Sequence, residues 1–104
     1  MGRGREPISD LAIAVGARLR AVRRAAGCSQ AHLAEALHVT QGSVSNYEAG
    51  LRDIPVHLLL AALDTLQYEP AHFFEGIPGL LSARDDSLRA AVFEVRDRYW
   101  PSAN

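Results

Sequence analysis

The chain has one cysteine in 104 residues and no lysine. A lone thiol excludes an internal disulfide and a cysteine-based zinc site, and with them the small disulfide-stapled secreted scaffolds and the zinc fingers. Long apolar runs are missing as well. The longest, Val56 to Leu63, is interrupted by His57 and falls well short of a membrane span. The opening residues, Met1-Gly2-Arg3-Gly4-Arg5-Glu6-Pro7, hold no apolar stretch of the kind a secretory signal needs, and Glu6 breaks the myristoylation pattern. These absences predict a cytoplasmic protein without a membrane partner. Strand-like alternation, internal repeats, low-complexity tracts and Gly-rich phosphate loops are also lacking.

What is present is ordinary globular material, 48% apolar with 8 Gly and 5 Pro. The length suits one domain with one core. The net charge of −1 argues, by itself, against a nucleic-acid binder. Its distribution is uneven: residues 1–52 carry seven Arg against four acids (+3), and residues 53–104 carry four Arg against eight acids (−4). A basic binding half and a plain scatter of surface charge both fit that asymmetry.

Periodicity predicts an all-α chain. Residues 1–8, rich in Gly, Arg and Pro, form a loose arm. A first helix starts at Ser9 or Asp10, with Leu11, Val15, Leu19, Val22 and Ala26 as its apolar stripe and Gly27 just past its end. Ser29 caps a second, short helix with Leu33, Ala34 and Leu37 inward; His32 stands where a capping box would place Glu. Thr40 caps a third helix, about Gln41 to Ala49, which Gly50 ends. Pro55 opens a fourth, with Leu58, Leu59, Ala62, Leu63 and Leu66 on its apolar face, and Glu69-Pro70 a short fifth carrying Phe73 and Phe74. After the turn-rich Gly76-Ile77-Pro78-Gly79, a sixth helix is expected over 85–99 with the stripe Leu88, Ala91, Val92, Val95 and Tyr99. This divides the chain into the arm 1–8, a domain 9–76 and a C-terminal helical extension 77–104.

Two short helices joined by a tight turn make a helix-turn-helix outline. The segments Val15-Gly16-Ala17-Arg18-Leu19-Arg20, Arg23 with Gly27-Cys28-Ser29-Gln30-Ala31-His32-Leu33-Ala34, and Val39-Thr40-Gln41-Gly42-Ser43-Val44-Ser45-Asn46-Tyr47-Glu48-Ala49-Gly50, followed by Leu59 to Leu66 and Phe73-Phe74, resemble the Cro/XRE-type helix-turn-helix regulators. The resemblance covers roughly 60 of the 104 residues, and it is the combination that is specific. It implies a five-helix lambda-repressor-like domain, here with an added C-terminal helix. It also implies double-stranded DNA as partner, bound by a homodimer that places two recognition helices about 34 Å apart on a pseudo-palindromic operator.

At 100° per residue, Gln41, Gly42, Ser45 and Asn46 fall on one side of the third helix and Val44 and Tyr47 on the other. Gln and Asn can each pair with adenine N6 and N7 in a bidentate way. For isolated polar residues plain solvated surface is the default reading; the resemblance makes these four the base-reading set. Gly42 departs from the family in offering no side chain, which would let the backbone approach DNA closely. The resemblance further implies Gln30, Ser43 and Arg52 as phosphate contacts, and Arg23 with Glu48 as a structural ion pair between the first and third helices. His38 occupies a turn position where the family usually has Gly, and Cys28 one where it has an apolar residue, so Cys28 is read as an inert, buried thiol.

No arrangement supports catalysis. Ser29, Ser43 and Ser45 sit at helix starts or on a helix face, not on a nucleophile elbow, and Asp85-Asp86 is an adjacent pair at a helix start. His32, His38, His57 and His72 lack metal-ligand spacing, so neither metal nor cofactor is expected. The reading is a non-enzymatic, DNA-binding transcriptional repressor. Two rivals stay open: an antitoxin whose C-terminal helix wraps a toxin, and an interaction module that has lost DNA binding. The stripe Leu88, Val92, Val95 and Tyr99, with Phe93 and Trp100 beside it, is more apolar than a lone surface helix needs. It is either a dimerisation element, which could also take another protein partner, or a segment that folds back on its own domain.

Overall fold

A computed structural model describes residues 9–77. The arm 1–8 and the predicted sixth helix, with Leu88, Val92, Val95 and Tyr99, lie outside the described residues. Within them the chain forms five helices and no strand: α1 (Asp10–Ala25), α2 (Gln30–Leu37), α3 (Gln41–Glu48), α4 (Val56–Thr65) and α5 (Pro70–Glu75).

The helix starts follow local side-chain chemistry. The hydroxyls of Ser9, Ser29 and Thr40 each accept a 3.0 Å bond from the backbone N–H three residues on, at Ala12, His32 and Ser43. Each thereby satisfies a donor that the helix leaves unpaired. Pro55 and Pro70 open α4 and α5, where a missing N–H costs nothing.

The ends of α1, α2, α3 and α4 share one geometry. Gly27, His38, Gly50 and Gln67 take φ of 72°, 59°, 76° and 55°. The next residue's N–H then reaches back five positions: Cys28 to the carbonyl of Arg23, Val39 to Ala34, Leu51 to Asn46 and Tyr68 to Leu63, at 2.9–3.1 Å. This is the left-handed C-terminal cap that closes helices abruptly. Two of the four positions carry side chains, which incur a steric penalty there. The resulting turn between α2 and α3 is only three residues long.

α3 packs on α1 and α2, and α4 on α2. The core joins Leu19 and Val22 of α1, Leu33, Ala34 and Leu37 of α2, Val44 of α3, Leu59, Ala62 and Leu63 of α4, and Leu66, Phe73 and Ile77. The inward face of α1 differs from the expected stripe. Ala12, Gly16, Leu19, Val22 and Arg23 are buried, whereas Leu11 is 51% exposed and Ala26 lies outside the core. The reason is close helix contact. A Cβ at Gly16 would press on the Tyr47 carbonyl oxygen and lie 2.6 Å from that of Glu48, so α1 meets the end of α3 through its smallest residues. On α4, Leu60 is buried and Leu58 only half-buried.

Candidate nucleic-acid interface

α3 buries Val44, Tyr47 and Glu48. Its opposite side presents Gln41, Gly42 and Ser45 to solvent, with Asn46 half-buried beside them. A Cβ built at Gly42 would find only the Thr40 hydroxyl, 3.8 Å away. The domain itself therefore does not require glycine there.

The helix is fixed from behind by Glu48. Its carboxylate accepts from Arg23 Nε at 2.6 Å, from Arg23 Nη2 at 3.1 Å and from Gln30 Nε2 at 2.9 Å. Arg23 Nη1 donates in turn to the Cys28 carbonyl at 2.7 Å. One guanidinium thus ties α1, the α1–α2 turn and the end of α3 together, and the expected ion pair is present with side chains 9% and 3% exposed. The bidentate geometry is what makes a buried pair tolerable, because each charge finds its partners inside. Hydrogen bonding to Glu48 holds the Arg23 guanidinium above its ordinary value, outweighing the opposite pull of burial. With the folded value raised, this contribution to stability is complete below the unfolded value. It is lost only as pH rises through the folded one, so ordinary pH changes leave the Arg23 side of the clamp charged.

Gln30, expected at phosphate, is engaged in this network. One amide hydrogen serves Glu48; a side-chain amide has a second to offer. Ser43 and Arg52 are brought together. Arg52 Nη1 lies 3.3 Å from Ser43 Oγ, and its guanidinium stands 5.2 Å from the centre of the Tyr47 ring. The Thr40 hydroxyl donates to the same Ser43 oxygen at 3.0 Å. A hydroxyl and a cation therefore sit side by side at α3. The sequence reading missed Gly16. A small residue on the inward helical register was the available signal, and the apolar stripe outweighed it.

The described residues form an all-helical helix-turn-helix fold in which an eight-residue helix with an outward amide face is held by a buried ion pair. The helix-turn-helix domain profile matches residues 14–73. The chain belongs to that family, in line with the Cro/XRE-type resemblance. Among similar proteins are the HTH-type transcriptional regulators y4aM of Sinorhizobium fredii, 41% identical over 66 residues (64% of this chain, 46% of the relative), and RC0668 of Rickettsia conorii, 31% identical over 77 residues (74% and 62%). The aligned part of the chain thus spans about half to three-fifths of these relatives' length. Two crystal structures of ClgR, the clp gene regulator of Corynebacterium glutamicum, share the fold. One has a TM-score of 0.64 at 30% identity, covering 73% of this chain and 97% of ClgR. The other has a TM-score of 0.65 at 27% identity, covering 92% and 100%. Among the described residues no helix is long and apolar enough to cross a membrane.

Proposed function

We propose that this chain is a sequence-specific DNA-binding transcriptional regulator that acts as a repressor. Two copies would occupy a pseudo-palindromic operator, each laying α3 in a major groove. Such a role is exercised in the cytoplasm, with the DNA. The observation that carries the reading is the division of α3: Val44, Tyr47 and Glu48 face the core, and Gln41, Gly42, Ser45 and Asn46 are left as an ordered polar face. Gln41 and Asn46 offer bidentate contacts to adenine, Gly42 allows close backbone approach, and Gln30, Ser43 and Arg52 supply the contacts that fix register on the phosphates. Repression follows from occupancy, which excludes polymerase from overlapping DNA. The regulator names of the relatives support the same class.

The test is fluorescence-anisotropy titration on the chain's own upstream DNA over a range of salt, with wild type and the Gln41→Ala/Asn46→Ala double variant. The expected result is tight, salt-dependent wild-type binding and loss of discrimination between this DNA and a scrambled site in the variant, at about 1–3 kcal/mol per lost bidentate contact. Binding indifferent to sequence and to both substitutions would refute the assignment of the base-reading face.

A further inference from the structure

Thr40 caps α3, and its oxygen accepts the Ser43 backbone N–H at 3.0 Å. Its hydroxyl hydrogen has a second use. It is donated to Ser43 Oγ, 3.0 Å away, and Arg52 Nη1 approaches the same oxygen at 3.3 Å. A serine hydroxyl has two lone pairs and one hydrogen, and a guanidinium can only donate. Both lone pairs of Ser43 are therefore occupied from within the domain. Its hydrogen has no acceptor among the described residues and is left for one from outside.

The neighbouring cation is uncommitted too. Arg52 is exposed and forms no ion pair among the described residues. It is nonetheless held in place, by the Ser43 oxygen on one side and by the Tyr47 ring, 5.2 Å from the guanidinium, on another. Tyr47 is a buried residue of α3, so the guanidinium rests on a fixed aromatic face. What this pair still offers is the Ser43 O–H and the remaining N–H groups of Arg52. All are donors, beside one positive charge. Such a pair suits an anion whose oxygens only accept, as a phosphodiester does, and has no lone pair for a ligand that brings hydrogens of its own.

We propose that Thr40 is a positioning residue of the DNA interface: by donating to Ser43 it turns the Ser43 hydrogen away from the domain and makes Ser43 and Arg52 a donor-only pair for a backbone phosphate. This deepens the regulator reading and rests on it. The contact carries no base preference, since every nucleotide presents the same phosphate. The two hydrogen bonds of Thr40 thus have separate duties. As an acceptor it starts α3, and as a donor it orients Ser43. A residue that caps through an oxygen but has no hydroxyl hydrogen keeps the first duty and loses the second.

Asparagine is such a residue, and serine performs both duties. The full chain is titrated by fluorescence anisotropy on its own upstream DNA and on a scrambled duplex, at one salt concentration. Wild type is compared with Thr40→Ser, Thr40→Asn, Ser43→Ala and the double variant Thr40→Asn/Ser43→Ala, and circular-dichroism melts accompany each. Thr40→Ser and Thr40→Asn should melt at or near the wild-type temperature, because both cap at least as well as threonine. Thr40→Ser should bind both duplexes within about twofold of wild type, since it keeps the hydroxyl. Thr40→Asn should bind both about tenfold more weakly per bound copy, the loss of one hydrogen bond to a charged group, with the ratio between the duplexes unchanged. Ser43→Ala should match it, and the double variant should be no weaker than either, because one and the same hydrogen is lost. Wild-type affinity in Thr40→Asn would overturn the proposal and leave Thr40 a cap alone. Losses that multiply in the double variant, or a loss confined to the upstream DNA, would overturn it as well. Wild-type chain that binds both duplexes alike would refute sequence-specific regulation, and the Thr40→Asn comparison on either duplex would still decide the proposal. Wild-type chain that binds neither would overturn both.

Discussion

Replacing Arg23 by Ala should damage the fold far more than removal of any neighbouring surface arginine. Glu48, its side chain 3% exposed, would lose the bonds from Nε and Nη2 and keep only that from Gln30. Breaking a buried pair by removing one partner costs about 3–5 kcal/mol, because the remaining charge is stranded. Domains of this size are stable by only about 5–15 kcal/mol, and each kcal/mol lowers Tm by roughly 4–8 °C. The variant should therefore melt tens of degrees lower or fail to fold. Arg24→Ala, an exposed change one residue on, should stay within about 0.5 kcal/mol of wild type. The discriminating variant is Arg23→Met/Glu48→Leu, which removes both charges. It should recover most of the loss and retain a deficit of about 1 kcal/mol for the bond to the Cys28 carbonyl. Thermal and urea melts followed by far-ultraviolet circular dichroism compare these variants and the single Glu48→Leu change with wild type. The reasoning is refuted if Arg23→Ala costs no more than Arg24→Ala, or if the double variant falls as far as the sum of its two singles.

Gly16→Ala should destabilise by about 1–3 kcal/mol or more, because its methyl must displace the Tyr47 and Glu48 carbonyls; a urea midpoint at or above wild type would contradict the close α1–α3 contact. His38→Gly should stabilise by about 0.5–1 kcal/mol, the left-handed penalty of about 1–2 less the entropy of glycine, visible as a few degrees in Tm. Arg52→Ala should weaken DNA binding about equally across sequences and reduce the slope of log affinity against log salt by about 1; a selective loss on one sequence would make Arg52 a base contact instead.

Much of this was legible in the residues because it rests on local rules. Ser29, Thr40, Gly27 and Gly50 announce their helix ends, and the division of α3 into Val44 and Tyr47 against Gln41, Gly42, Ser45 and Asn46 follows from the 3.6-residue repeat. The Arg23–Glu48 pair came from the family resemblance, since nothing local joins residues 25 positions apart. Three features resisted. Hydrophobic stripes are weighted by bulk, so Leu11 outranked Ala12 and Gly16, although close helix packing selects the small residues. Gln67 gives no sign of its positive φ, which accompanies the closing bond of α4 from the Tyr68 N–H to the Leu63 carbonyl. The tie of Gln30 to Glu48 depends on where three elements meet, which no window of sequence contains.

The three-way clamp on Glu48 has a bearing on how DNA would be met. An eight-residue helix is too short to persist alone in water, where about 12–15 residues are marginal. α3 therefore owes its helical form to the domain, which sets it before any ligand arrives. A reader of this kind brings its helix backbone already in place, and association does not have to fold it. Its binding should accordingly lack the large negative heat-capacity change of a segment that folds on its target.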